Sequence, residues 1–153
     1  MIMSTGLQTY ITLTGSLRAA LASCLVKAYS GAVPASADAS LGSAVLLDTY
    51  SAGSGGSGGT PGTWDATMVA GALVKTTTET WKDASSGPVA TGAASFMRIV
   101  LAADDGTAST SQIRVQLTTG TVAADALLSN TTYTANGPQR TLSGAQLIIP
   151  KGV

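Results

Sequence analysis

The chain has 153 residues, of which 8 are basic and 8 acidic, so its formal net charge is zero and only 10% of its residues are charged. This balance argues against nucleic acid or an acidic membrane surface as a partner. The sequence has no histidine and one cysteine, which excludes Ser-His-Asp and Cys-His catalytic groups, His-ligated zinc and thiolate metal clusters. We therefore expect no cofactor, and the low charge predicts that much of the surface is held against partners.

The length fits one domain with its own hydrophobic core. The opening residues have no basic region followed by an apolar block, so the sequence predicts no signal peptide. No apolar run approaches the roughly 20 residues of a membrane helix. We therefore expect a soluble protein that is made in a cytosol.

Residues 1–13 are predicted to form an extended N-terminal arm, which packs on a neighbouring molecule or lies as an edge strand. The arm is too short to fold alone, yet it carries the apolar residues Leu7, Tyr10, Ile11 and Leu13. These residues are candidates for an interface. Residues 14–153 are predicted to form a single β-sandwich domain.

One short amphipathic helix is predicted from Ser16, because apolar residues recur at helical spacing as far as Cys24. Thr14 or Ser16 is placed to cap its N-terminus. Cys24 falls on the apolar side of this helix. It is interpreted as a small buried hydrophobic residue rather than a reactive thiol.

The chain then predicts short strands separated by breaks. A strand over Leu25–Ser30 ends at Gly31, and a second falls within residues 41–50. Residues 51–62 are nearly pure Gly and Ser, which predicts a flexible loop inside the domain. Apolar alternation resumes over residues 64–74, and the Thr-rich run 75–81 is a candidate to pair with it.

The strongest signal is a β-hairpin near residues 96–117. Apolar residues occupy both faces of the run from Phe96 to Leu101, as expected of a central strand that is covered on both sides. Asp104-Asp105-Gly106 supplies a turn, and alternation then resumes with Arg114 and Gln116 predicted to face solvent. With a last strand over residues 145–149, about eight short strands indicate a mainly β, antiparallel, jelly-roll-like β-sandwich.

Several motifs have both a structural and a chemical interpretation. Gly53-Ser-Gly-Gly-Ser-Gly58 matches a dinucleotide fingerprint, but no helix pattern opens behind it, which favours a flexible loop. Asp104 and Asp105 are paired carboxylates, and a turn explains them. Trp64 and Trp81 could stack on a sugar, whereas an anchor in a core or an interface is the favoured interpretation.

Two blocks of the chain resemble small virion structural proteins of tailed bacteriophages. The first is Leu25-Val-Lys-Ala-Tyr-Ser-Gly-Ala-Val-Pro-Ala-Ser-Ala-Asp-Ala-Ser-Leu-Gly42, and the second is Thr91-Gly-Ala-Ala-Ser-Phe-Met-Arg-Ile99. In those proteins a short helix precedes a strand that ends in Tyr-Ser-Gly, then a Pro-Ala-Ser-Ala-Asp-Ala connection, and later a strand that carries adjacent Phe and Arg. Here Met97 separates Phe96 from Arg98.

The resemblance implies a non-enzymatic particle component with no catalytic residues, most concretely a capsid decoration or cement protein. It would be located in the virion after assembly in the host bacterial cytoplasm. Its partners would be other phage structural proteins, most of all the major capsid protein, and further copies of itself. The alternatives are a collar, tail or fibre-anchoring virion protein and, from a different class, a carbohydrate-binding module that uses Trp64 and Trp81.

Overall fold

A computed structural model describes residues 1–53, 55, 59–66 and 72–148 of the chain. Within them lie the helices α1 (Thr5–Leu13) and α2 (Leu17–Ala20). The strands are β1 (Ile2–Met3), β2 (Cys24–Ser30), β3 (Val45–Ala52), β4 (Ala72–Val74), β5 (Trp81–Lys82), β6 (Gly92–Ala93), β7 (Phe96–Leu101), β8 (Arg114–Gly120), β9 (Ala126–Leu127), β10 (Thr132–Tyr133), β11 (Thr141–Leu142) and β12 (Gln146–Ile148).

One large sheet organises the molecule. Its strands follow the order β1-β8-β7-β2-β3-β5-β11, with antiparallel neighbours throughout, and β9 adds to β8 in parallel. The short antiparallel pairs β10-β6 and β12-β4 lie outside this sheet. The predicted mainly β, antiparallel, sandwich-like fold is confirmed.

The predicted central hairpin is present. β7 pairs with β8 in a register that sets Ile99 opposite Val115, and β2 pairs along the other side of β7. Met97 and Ile99 enter the main core, whereas Phe96 lies on the opposite face and stacks on Tyr29 with ring centres 5.1 Å apart. The strand is therefore buried on both faces, as its sequence predicts.

The main hydrophobic core covers one face of the sheet. Apolar side chains of β2, β7 and β8 form its floor, and the helices, β4 and β12 supply the residues packed above it. The buried members that cover the floor include Leu7, Leu17, Leu21, Trp64, Leu73 and Leu147.

The prediction of an extended arm over residues 1–13 is wrong, because most of this segment is helix α1. Ser4 caps the helix by accepting from the Leu7 amide at 3.2 Å, and its own hydroxyl donates to the Gln112 carbonyl at 2.7 Å. Gly6 allows this close approach, since a Cβ there would lie 2.4 Å from the Ser111 carbonyl oxygen. Only β1 is extended, as an edge strand on β8.

The helix predicted from Ser16 exists but is shorter than expected, and another helix, α1, precedes it. Ser16 caps α2 by accepting from the Ala19 amide at 3.2 Å, as predicted. The helix ends at Ala20, and Cys24 begins β2, where it pairs with Leu101 of β7 and also bridges to Gly62. The predicted burial of Cys24 is confirmed.

The strand predicted within residues 41–50 begins at Val45 and continues to Ala52, so it enters the predicted Gly/Ser loop. Ser51 and Ala52 pair with β5, and Ala52 also bridges to Thr60. The rest of the loop prediction falls partly on residues 54 and 56–58, which lie outside the described residues. The runs 64–74 and 75–81 were predicted to pair, and among the described residues they are joined by one β-bridge, between Trp64 and Lys75.

Candidate functional site

The structure places half of the predicted interface residues in the core. Leu7, Trp64 and Trp81 have at most 1% of their surface exposed. These three side chains therefore offer almost no surface to a partner in the folded chain. Their apolar area is already buried against the sheet, where it contributes to folding.

The other candidates lie in the second half of α1. Tyr10 and Ile11 are half-buried and pack against the core cluster, whereas Leu13 is 78% exposed at the end of the helix. Of the predicted interface residues, Leu13 thus offers the largest free apolar surface.

The two tryptophans form a buried aromatic pair. Their rings meet edge to face with centres 5.4 Å apart. The Trp64 indole N–H donates to Cys24 Sγ at 3.3 Å, and the Trp81 indole N–H donates to the Glu79 carboxylate at 2.7 Å. Both indole donors are thereby satisfied, so the pair is a core anchor and presents no platform on which a sugar could stack.

Glu79 links the segment around Trp64 to the segment around Trp81 through hydrogen bonds. Its carboxylate accepts from the Thr63 amide at 2.9 Å and from the Thr63 hydroxyl at 2.6 Å, in addition to the Trp81 indole. Burial acts to raise the pKa of Glu79, but these hydrogen bonds favour the charged form and together hold the pKa below its ordinary value. Lys75 Nζ lies 5.6 Å from the centre of the Trp81 ring and completes the cluster.

The second face of the sheet carries a polar layer, defined here as Arg98, Arg114 and Gln116. The prediction that Arg114 and Gln116 face solvent is wrong, because each residue of the layer is at most 2% exposed. They are covered by the connection between β2 and β3, whose residues 34–39 form a strap across the sheet.

Hydrogen bonds to backbone carbonyls hold the strap. Arg98 Nε and Nη2 donate to Gln116 Oε1 at 3.0 and 2.9 Å, which orients the amide. Arg98 Nη2 also donates to the carbonyls of Ser36 and Ala39, and Gln116 Nε2 donates to the Pro34 carbonyl at 2.7 Å. The polar layer therefore replaces the water that the strap carbonyls would otherwise bind.

Asp104 is an internal counterion as well as a turn residue. Arg114 Nη2 donates to Asp104 Oδ1 at 3.0 Å, Arg114 Nε donates to the second oxygen, and both residues are buried. Asp104 Oδ1 also accepts from the amide of Gly106, whose φ of +79° confirms the predicted turn. Asp105 is exposed and binds Thr107 instead, so the two carboxylates act separately.

The strap is also tied to helix α1. The Asp38 carboxylate accepts from the Thr5 amide at 2.9 Å and from the Thr5 hydroxyl at 2.6 Å. An anion at this end of a helix is favoured by the unpaired N–H groups there. Strap, helix and hairpin thus form one connected unit.

An apolar groove opens beside the main core. It has a volume of about 350 Å³, and its floor consists of core residues of β2, β7 and β8. The walls come from β9 and from the segment that contains β12. Leu127 of β9 lines this groove and is itself 66% exposed.

Large apolar side chains are exposed in the elements that lie next to β8, on both faces of the sheet. Ile2 in β1 and Leu127 in β9 flank β8, and Val122 lies in the connection between β8 and β9. We call Ile2, Val122 and Leu127 the β8 edge. Other exposed large apolar residues are Leu13, Val33, Val45, Val89 and Ile148.

The part of the chain that the structure describes contains no group of three or more His, Cys, Asp or Glu side chains placed to hold a metal ion. Among those same residues, no helix is long and apolar enough to cross a membrane. Comparison of the chain with protein-family models, curated proteins and solved structures gave no match.

Proposed function

We propose that this chain is a structural component of a tailed-phage virion, most concretely a capsid decoration or cement protein that stabilises the head lattice. The observation that carries the proposal is the apolar β8 edge on a chain with only 10% charged residues. Such a surface favours contacts made by apolar burial and strand edges over contacts made by ion pairs.

The two sequence blocks that resemble phage virion proteins meet in space. Residues 34–39 of the first block form the strap, and Arg98 of the second block binds the strap carbonyls. Tyr29 of the first block stacks on Phe96 of the second. In this chain the two blocks therefore share a physical task, which is to hold the connection over the sheet.

The partner proposed for the β8 edge is the major capsid protein, and further copies of this chain would occupy neighbouring lattice sites. The proposed location is the virion, after assembly in the host bacterial cytoplasm. The formal net charge of zero makes nucleic acid and acidic membranes poor partners.

A collar, tail or fibre-anchoring protein of the same particle has the same residue chemistry and is the alternative. Copy number separates the two, because a cement protein is present in hundreds of copies and a collar or tail part in a small symmetric set. Quantitative mass spectrometry of purified particles is the direct test. A count near a dozen or below would overturn the decoration role, and absence from the particle would overturn the whole proposal.

The carbohydrate-binding alternative depended on Trp64 and Trp81 as a stacking pair. Both side chains are buried and hydrogen-bonded, so no observation favours it. A glycan array remains a simple independent check, and we expect no specific binding.

The contact surface can be tested with particles that lack the chain. Leu127→Ser removes apolar surface from the β8 edge, and Val89→Ser removes a similarly exposed side chain near β3, which is separated from β8 by β2 and β7. We expect the first variant to bind the particles less tightly and the second to bind like the unchanged protein. Equal binding by both variants would remove the β8 edge from the interface.

A further inference from the structure

Two aspartates face each other inside the protein. Asp48 lies within β3, Asp83 directly follows β5, and these strands are neighbours in the sheet. Asp48 is 1% exposed and Asp83 is fully buried. The two carboxyl groups are close enough for each to act on the pKa of the other. Burying two carboxylates in contact is strongly unfavourable while both are ionised.

The hydrogen bonds of the pair leave one oxygen of each carboxyl free. Asp48 Oδ1 accepts from the Thr49 amide at 2.9 Å, and Asp83 Oδ1 accepts from the Arg140 amide at 2.9 Å. Among the described residues, Asp48 Oδ2 and Asp83 Oδ2 have no partner. A single proton, held by one carboxyl and donated to the other, supplies the missing donor and removes the repulsion between two charges.

The other ionisable groups around the pair do not replace that proton. Tyr50 and Tyr133 direct their hydroxyls at each other, 3.0 Å apart. The Arg140 guanidinium stacks 3.9 Å from the centre of the Tyr133 ring and donates to the carbonyls of Asn130 and Thr132. Arg140 thus hydrogen-bonds to Asp83 through its backbone amide, while its guanidinium acts on the pair through its charge alone, which lowers the pKa of both carboxyls but does not offset the effect of their burial.

Asp83 is hydrogen-bonded to one particular segment of the chain. Residues 130–142 contain β10 and β11, and β11 pairs with β5 at the end of the large sheet. Asp83 binds this segment at both its carboxylate and its backbone, since the Asp83 N–H donates to the Arg140 carbonyl at 3.2 Å. Gln139 Nε2 adds a bond to the Asp83 carbonyl at 2.9 Å.

We propose that Asp48 and Asp83 share one proton and that this proton latches residues 130–142 onto the sheet. Loss of the proton leaves two carboxylate charges in contact beneath the segment, which loosens its attachment. Residues 130–142 are held most firmly at acidic pH, and their attachment to the sheet weakens as the pH rises.

The electrostatics of the pair agree with its geometry. Burial, followed by repulsion from Asp83, raises the pKa of Asp48 to about 7. Burial likewise raises the pKa of Asp83. When the segment is open, the carboxyls regain ordinary pKa values near 4. Opening therefore becomes easier as the pH rises from about 4 to about 7, and the opening constant levels off above about pH 7.

The first test uses the unchanged protein. Side-chain carboxyl ¹³C resonances report ionisation directly, and we expect those of Asp48 and Asp83 to respond to a common step whose midpoint is near pH 7. Two separate titrations that are both complete below about pH 5 would show two ordinary carboxyls and would overturn the proposal. Because this measurement needs no variant, it decides the matter even if substitutions disturb folding.

The second test measures opening of the segment by hydrogen exchange at the Arg140 amide, corrected for the intrinsic pH dependence of exchange. Between pH 5 and 7 we expect the opening constant to rise about tenfold per pH unit in the unchanged protein. Asp48→Asn keeps a donor for Asp83 without a titrating proton, and it should abolish this dependence. Asp105→Asn, which removes an exposed carboxylate, should retain it. The same slope in Asp48→Asn as in the unchanged protein would overturn the proposal.

Discussion

Arg114 and Asp104 form a two-nitrogen ion pair that is sealed inside the second face of the sheet, with Nη2 and Oδ1 3.0 Å apart. Arg114 Nη1 continues the network to the Ala37 carbonyl of the strap at 3.4 Å. A buried ion pair of this kind contributes little net stability compared with apolar residues, but losing one partner leaves an unpaired charge inside the protein. The pair therefore specifies where the strap and the hairpin turn lie.

Removal of one partner of this pair should be costly. We expect Arg114→Ala or Asp104→Ala to lower the free energy of unfolding by about 3 to 5 kcal/mol, measured by denaturant unfolding with tryptophan fluorescence. The control Asp105→Ala, at the exposed neighbouring position, should change it by at most about 0.5 kcal/mol. The double variant should lose less than the sum of the single losses, and simple additivity would contradict direct coupling.

The polar layer shows where the sequence pattern stops being informative. Alternation in β8 correctly predicts a strand with Val115 and Leu117 on one face. It does not reveal whether Arg114 and Gln116 face water or a second layer, because both environments permit polar side chains. The strap covers these two side chains, and because it lies far from β8 in the sequence, only the tertiary fold brings the strap and β8 together.

The N-terminal segment was mispredicted for a similar reason. Leu7, Tyr10 and Ile11 have a spacing that fits a helix, but the run is short and its cap bonds join Ser4 to Gln112 and Thr5 to Asp38. Partners so distant in the sequence leave no local signal. By contrast, the hairpin of β7 and β8 was predictable, because its pairing is local and its turn residues are explicit.

The Asp48–Asp83 pair had one signal that could have been recognised. Asp48 interrupts an apolar strand in Val45-Leu-Leu-Asp-Thr-Tyr50, where a charge is unexpected. Its partner was not predictable, since Asp83 lies in a polar run that also fits a solvated edge. Only the pairing of β3 with β5 brings the two together.

The two faces of β7 should both be sensitive to truncation. Phe96→Ala removes the ring stacked on Tyr29, and Ile99→Ala opens a cavity in the main core, so each should cost about 2 to 5 kcal/mol of unfolding free energy. Val89→Ala, at a 63% exposed site, is the control and should be nearly neutral. If Phe96→Ala or Ile99→Ala lowered the free energy of unfolding by only a few tenths of a kcal/mol, β7 would not be a central strand.

Cys24 should be chemically inert in the folded protein. Burial raises the pKa of its thiol to about 12, and the Trp64 indole N–H covers the sulfur at 3.3 Å. We expect a thiol reagent such as DTNB to react only at the rate at which the chain opens, and to react fully in denaturant. Fast stoichiometric labelling of native protein at pH 8 would contradict this burial.

Glu79 should make the fold sensitive to acid, with a sign opposite to that of the aspartate pair. Because its pKa is held below the ordinary value, its contribution to stability is present above about pH 4.5 and is lost as the pH falls. Glu79→Gln should therefore be destabilising at pH 6, and the difference from the unchanged protein should shrink towards pH 3. A difference in denaturation midpoint that stays constant over this range would remove the ionised carboxylate from the explanation.

The proposed attachment to a particle predicts resistance to salt. Ion pairs between exposed charges are screened within a few ångströms at molar ionic strength, whereas apolar contacts and backbone hydrogen bonds persist. With 16 charged residues among 153 and an apolar β8 edge, the chain should remain on purified particles that are washed in molar sodium chloride. Particles that carry Leu127→Ser, compared with particles that carry Val89→Ser, should release the chain more readily under mild denaturant. Release of the unchanged chain by salt alone, from shells that stay intact, would show that ion pairs hold it and would contradict the proposed apolar interface.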